Sequence, residues 1–262
     1  MGHRLTGAPP RPTLDWPMVE LTAVLFDIDD TLFSTTEFAS RARDNAVRAM
    51  VEAGLGLPVD VVRRELDEVI AEFSSNYDHH FDKLIERLRP TALERINPAL
   101  IVAAGVTGYH DTKFRELRPF PDVVPLLAQL RHAGLCTGII THGWTVKQAE
   151  KLVRLGLLPY LNLDAVFISD QIGIAKPNPK LYQVALRDLG LDAPTVMYVG
   201  DNPAHDISPP ASLGMRTVWA RRASRVPELP EGIVATHTVD NFDQLREILT
   251  REYGVAALDG SS

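Results

Sequence analysis

The sequence predicts an α/β fold: a doubly wound parallel sheet with a smaller, all-helical domain inserted after the first strand. Three observations carry this expectation. Short apolar runs recur at 23–27 (AVLFD), 136–141 (CTGIIT), 165–169 (AVFIS), 196–200 (VMYVG) and 217–220 (TVWA), and such runs suit strands buried on both faces. Helical patterns separate them at 123–132, 145–155 and 179–189, with a short one after His205 and a last one at 242–251. Strands alternating with helices indicate a parallel sheet, with the site beyond the carboxyl ends of the strands. The stretch 34–118 breaks the alternation, showing helical spacing and no strand pattern.

Taken in order, residues 1–20 are rich in Pro and Gly with no apolar h-region, so they read as a tail outside the fold and not as a secretory signal. Met18, just before the first strand, is a candidate start. That strand ends in Asp27. Ser34-Thr35-Thr36-Glu37 then fits a capping box, opening a helix expected to run to about Ala53 and stop at Gly54. Val62, Leu66, Val69, Ile70 and Phe73 repeat at helical spacing, as do Phe81, Leu84, Ile85 and Leu88. A fourth helix is expected over 98–113. The charged residues Arg63, Arg64, Glu65, Asp67 and Glu68 read as a solvated helix face. The expected division is therefore a core of 21–33 and 119–255 with a helical cap of 34–118. Pro209-Pro210 should keep the helix after His205 short or late, because proline is tolerated only in a first turn.

The bulk numbers restrict partners. The 262 residues carry a formal charge of −7 at pH 7, which argues against a nucleic-acid partner needing a basic face. A small anionic substrate remains compatible, since local charge outweighs net charge. No apolar stretch approaches the ~20 residues that cross a bilayer. The single cysteine, Cys136, cannot form an internal disulfide and suits a reducing cytoplasm; within its apolar run it is expected to be a buried core thiol.

Four motifs bear on chemistry. Asp27-Ile28-Asp29-Asp30-Thr31 crowds three carboxylates into four residues, which costs stability unless a cation or hydrogen bonds compensate. The bland alternative is a loop with an N-cap. Thr141-His142-Gly143 ends a second strand, Lys176-Pro177 follows a third, and Gly200-Asp201-Asn202-Pro203-Ala204-His205-Asp206 ends a fourth. All four arrive at one edge of the expected sheet. Two carboxylate clusters, a lysine and a hydroxyl there make a coherent phosphate site.

The four motifs in this order, with a helical insert after the first, resemble the phosphatase branch of the haloacid dehalogenase superfamily, with a Rossmann-like core. The segments NYDHHFDKLIERL at 76–88 and YHDTKFRELRPFPDV at 109–123 resemble a dehalogenase-like subgroup near the N-acylneuraminate-9-phosphatases and nucleotidases. The resemblance implies a phosphatase of a small phosphorylated metabolite, using Mg2+, and the lone cysteine and absent signal make a cytoplasmic location the expectation. It implies that Asp27 is the nucleophile that becomes a phosphoaspartate, and that Asp29 is the acid for the leaving oxygen and then the base for water. Thr141, His142 and Gly143 would hold the phosphoryl oxygens, through the Thr141 side chain and neighbouring backbone N–H groups. Lys176 would offset charge; Asp27, the Asp29 carbonyl and Asp201 would ligate the metal; Asp206 would support Lys176 or a metal-bound water. True dehalogenases of the family lack an acid two residues after the nucleophile, so Asp29 favours an oxygen leaving group. The rivals are a phosphomutase, a 2-haloacid dehalogenase and a non-enzymatic binding protein on the same fold. Departures are His142, where many relatives have Asn, and Asn202, where Ser or Thr is frequent. Tyr77, His80 and Lys113 are candidate substrate contacts from the cap. Trp144 could line the pocket or pack. His79, His80 and His110 form no tight zinc-type cluster with Cys. Phosphoglycolate, nucleoside monophosphates and sugar or sialic-acid phosphates are all admissible substrates.

Overall fold

The computed structural model describes residues 20–74, 77–88 and 95–257; the expected tail, apart from Glu20, and Asn76 lie outside them. Six strands, β1 (Ala23–Phe26), β2 (Cys136–Thr141), β3 (Val166–Ile168), β4 (Val196–Gly200), β5 (Arg216–Ala220) and β6 (His237–Val239), form one sheet in the order β3-β2-β1-β4-β5-β6. Every pairing is parallel. The strand at 165–169 is shorter than expected, because Ser169 already begins a helix. β6 was not expected from sequence: it is an edge strand of three residues, of which only Val239 is buried.

The order reverses at β1, which has β2 on one side and β4 on the other. Phe26 stands level with Ile139 and Val199, and the Asp27 N–H continues the ladder to the Val199 carbonyl at 2.9 Å. Asp27 thus leaves the sheet at its switch point, where parallel sheets open a crevice.

Helices α1 (Thr35–Met50), α2 (Val59–Phe73), α3 (His80–Leu88) and α4 (Pro98–Glu116) fall between β1 and the next core helix. α5 (Val123–His132), α6 (Thr145–Arg154), α7 (Ser169–Ile172), α8 (Lys180–Leu189), α9 (Ser208–Ser212) and α10 (Phe242–Tyr253) are interspersed with the remaining strands, α7 and α8 both between β3 and β4 and none between β5 and β6. The period-two geometry of β1 sends Val24 and Phe26 into one apolar layer with Leu126, Leu130 and Leu245. Ala23 and Leu25 face the other, with Leu181, Tyr182 and Tyr198. The insert has its own cluster, including Val47, Met50, Leu66, Leu84 and Ile101.

Local capping explains how the insert begins. Ser34 Oγ accepts the Glu37 N–H at 3.2 Å, and Asp30 Oδ1 accepts the Thr35 N–H at 2.8 Å. Asp30 therefore does the turn-forming work that the bland view assigned to the whole motif. α1 ends at Met50, three residues before the expected stop, because the chain widens into a π-turn over Val51–Leu55 with Gly54 at φ 106°. The solvated-face expectation needs correction at Arg63: it is largely buried and bridges Asp44 of α1 and Asp67 of α2. Glu65 likewise pairs with Arg87 of α3. Cys136, expected in the core, is only half-buried at the start of β2. Pro209 and Pro210 occupy the first turn of the five-residue α9, as the proline rule requires.

Candidate active site

Lys176 organises the centre. Its ammonium is buried and donates to Asp27 Oδ1 at 2.8 Å, Asp206 Oδ1 at 2.8 Å and the Tyr198 hydroxyl at 2.7 Å, which uses its three donors. Tyr198 passes its own hydrogen to the Ile140 carbonyl at 2.6 Å. Burial alone would favour a neutral amine here. The charges of Asp206 and Asp27 outweigh it and hold the Lys176 pKa well above its ordinary value.

The carboxylates are crowded. Asp27, Asp201 and Asp206 each bring an oxygen within 4.8 Å of the others. Burial, with the charges of Asp206 and Asp29 adding to it and Lys176 opposing, pushes the Asp27 pKa up to about 6. Burial followed by Asp206, Asp27 and Asp30 pushes Asp201 up to about 8. Asp206 is already engaged at both oxygens, by Lys176 and by the Asn202 N–H at 2.9 Å. It can come this close only because residue 200 is glycine, where a Cβ would lie 2.4 Å from the Asp206 side chain. Asp201 is steadied through its carbonyl by Trp219 Nε1 at 2.8 Å and Ser224 Oγ at 2.7 Å.

Asp29, near enough for its charge to act on Asp27, is held at both oxygens. Oδ1 accepts from Thr35 Oγ1 at 2.8 Å and from Lys151 Nζ at 2.6 Å. Oδ2 accepts from Gln148 Nε2 at 3.0 Å and also from Lys151 at 2.6 Å. Burial would raise its pKa, but the Lys151 charge and the Lys151, Gln148 and Thr35 hydrogen bonds outweigh it and hold Asp29 below the ordinary carboxylate range.

With Asp29 included, four carboxylates stand near only two ammonium groups, those of Lys176 and Lys151, so two negative charges are left over when all four are ionised. The donor set is all oxygen, and a divalent hard cation fits both its chemistry and its charge. The group of metal-capable side chains found among the described residues contains no histidine or cysteine.

Thr141 ends β2 fully buried, and its Oγ1 has no partner. An unpaired buried hydroxyl is costly, so this position suits a ligand oxygen. His142 Nδ1 lies 3.2 Å from Ser169 Oγ, and burial, then Lys176 and His205, lower its pKa and keep the ring neutral. The Gly143 N–H, expected from the resemblance to meet a phosphoryl oxygen, instead donates to Ser169 Oγ at 3.0 Å. The structure thus gathers Asp27, Asp29, Lys176, Asp201 and Asp206 in one charged cluster, with Thr141, His142 and Gly143 on the strand end beside it.

The cap candidates have other neighbours. Lys113 is ion-paired with Glu150 of α6. Tyr77 stacks on Phe73, and His80 Nε2 contacts the Ser74 carbonyl at 2.7 Å. Trp144 is half-exposed, with the Lys147 ammonium over its ring. Sequence reasoning missed Thr35, Gln148, Lys151, Ser169 and Tyr198. A signal existed for two of them: Gln148 and Lys151 stand three apart, on one face of the helix that follows Thr141-His142-Gly143.

A parallel sheet with a carboxylate-lysine cluster at its switch point and a helical insert after β1 defines a hydrolase class. Comparison with known proteins agrees. The haloacid dehalogenase-like hydrolase family model matches residues 21–214, and the chain belongs to this family. Glyceraldehyde 3-phosphate phosphatase of Methanopyrus kandleri is 46% identical over 204 residues, covering 77% of this chain and 84% of the relative. The protein of the same name from Pyrococcus furiosus is 39% identical over 238 residues, covering 90% and 96%. Among solved structures, an HAD phosphatase from Thermococcus onnurineus aligns with a TM-score of 0.57 at 26% identity, covering 89% of this chain and all of the other. Among the described residues no helix is long and apolar enough to cross a membrane.

Proposed function

We propose that this hydrolase is a cytoplasmic, magnesium-dependent phosphatase of a small phosphomonoester that works through a phosphoaspartate on Asp27. The observation that carries the proposal is Lys176 seated between Asp27 and Asp206 within a cluster carrying excess negative charge. An Asp27 oxygen attacks phosphorus as the ester P–O bond breaks, and the departing oxygen takes a proton from Asp29, which is ionised in the free enzyme and takes up that proton when an anionic phosphate arrives beside it. Asp29 then accepts a proton from a water whose oxygen attacks phosphorus. The P–O bond to Asp27 breaks, restoring the carboxylate and releasing inorganic phosphate.

Lys176 keeps Asp27 available as a carboxylate despite its burial. Thr141 Oγ1 donates to a phosphoryl oxygen, with His142 and Gly143 shaping the strand end beside it. The Asp27 and Asp201 carboxylates and the Asp29 carbonyl would hold Mg2+, which when bound would offset the charge of an arriving phosphate. Asp206, both oxygens engaged, supports Lys176. The insert, 34–118, acts as a cap that closes over the substrate and excludes bulk water. The similarity to glyceraldehyde 3-phosphate phosphatases supports a triose phosphate as substrate, within the sugar phosphates that the sequence left open.

The test is phosphate release from p-nitrophenyl phosphate, glyceraldehyde 3-phosphate and a phosphomonoester panel, with Mg2+ and with EDTA. Magnesium-dependent release with glyceraldehyde 3-phosphate foremost is expected. Isomeric sugar phosphate without free phosphate would point to a mutase, and no turnover would reject the proposal.

A further inference from the structure

Lys151 and Gln148 lie outside the four motifs, yet they supply three of the four hydrogen bonds that hold Asp29. We propose that Lys151, assisted by Gln148, is a positioning residue that fixes the Asp29 carboxylate for proton transfer to the leaving oxygen. The inference rests on the assignment of Asp29 as the acid–base group.

The arrangement has the marks of orientation, not of simple charge pairing. Lys151 reaches both Asp29 oxygens at 2.6 Å, so the carboxylate cannot turn about its axis without losing one contact. Gln148 is buried, and its Nε2 donates both to Asp29 Oδ2 and to the His142 carbonyl. Both partners are acceptors, so the amide has one allowed orientation. That orientation leaves Gln148 Oε1 buried without a partner, a cost tolerated in order to aim the donor. The backbone makes way for it: Gly143 sits at φ 141°, and a Cβ there would lie 2.5 Å from Gln148 Nε2.

The helix that carries these donors is itself anchored. On α6, Glu150 pairs with Lys113 of α4, and Lys147 approaches Asp78, just before α3, at 3.4 Å. Thr35, at the start of α1, completes the grip on Asp29. Donors from the insert and from the core therefore converge on one carboxylate.

The test compares leaving groups. p-Nitrophenolate departs without a proton, whereas an alkoxide needs one, and kcat/KM reports the step that transfers phosphorus to Asp27. Wild type, Lys151→Met and Lys151→Arg are assayed with p-nitrophenyl phosphate and with glyceraldehyde 3-phosphate at fixed Mg2+. Lys151→Met should lose on the order of 10²-fold in kcat/KM on the alkyl ester, the scale of a misplaced acid, and far less on the aryl ester. Lys151→Arg should recover much of the alkyl loss. Thermal unfolding checks the fold, and Lys151→Gln carries the same comparison if the methionine variant does not fold. Equal losses on both substrates, or none on either, overturn the inference while leaving the phosphatase assignment intact. A wild type that releases no phosphate overturns both.

Discussion

Asp201→Asn offers the sharpest test of the carboxylate cluster. Asp201 is partly buried among Asp206, Asp27 and Asp30, and its pKa is pushed from 3.8 to about 8, by burial first and by those charges next. Its folded form therefore binds a proton more tightly than its unfolded form. The stability this contributes is fully present below the ordinary value and is lost as pH rises through about 8. At roughly 1.4 kcal/mol per pH unit, metal-free protein should lose roughly 2–3 kcal/mol between pH 6 and pH 8 from this group. For a chain of this size that is a fall in Tm of roughly 5–10 °C. Mg2+ should recover much of it, and the gain should be larger at pH 8 than at pH 6, where the ion has to displace the proton. Asp201→Asn should flatten the pH dependence in EDTA and remove most of the response to Mg2+. The assay is thermal unfolding of both proteins at the two pH values, in EDTA and in Mg2+. A variant that keeps the wild-type slope and the wild-type response to Mg2+ would refute the reasoning.

Asp27→Asn should abolish phosphate release while thermal unfolding in EDTA shows the fold intact, since the amide oxygen can still accept from Lys176; retained release would remove Asp27 as the nucleophile. Lys176→Met should destabilise by about 3–5 kcal/mol in denaturant unfolding, because Asp27 and Asp206 lose their shared buried counter-charge. Thr141→Val should change stability by less than about 1 kcal/mol, because the hydroxyl has no hydrogen bond to lose. Its kcat/KM should nevertheless fall about tenfold, the weight of one lost hydrogen bond to the substrate. Gly143→Ala should cost about 1–3 kcal/mol, because the new methyl meets Gln148 and the backbone is in a glycine-favoured region.

The elements legible in the sequence were those whose physics is local. Buried parallel strands announce themselves as apolar runs, so β1, β2 and β4 lie where the runs placed them, and α5 matches its expected span. The start of α1 was written in Ser34 and Glu37, since a cap is made by neighbours in the chain. β6 was not legible, because a three-residue edge strand with one buried side chain has no pattern to show. Arg63 was misread because its partner Asp44 lies on another helix, and no local spacing reveals such a pairing.

The same division runs through the site. Sequence alone determined that Asp27, Asp29, Thr141, Lys176, Asp201 and Asp206 arrive at one edge, because each is tied to the end of a strand or to a loop beside one. Only the tertiary structure decided how they are shared: that Asp206 spends both oxygens within the protein, that the Gly143 N–H goes to Ser169, and that Lys151 and Gln148 grip Asp29 from 122 and 119 residues away. Hydrogen bonds are settled by distances of a few ångströms between side chains that the chain order keeps far apart, and those distances exist only once the sheet and helices have packed.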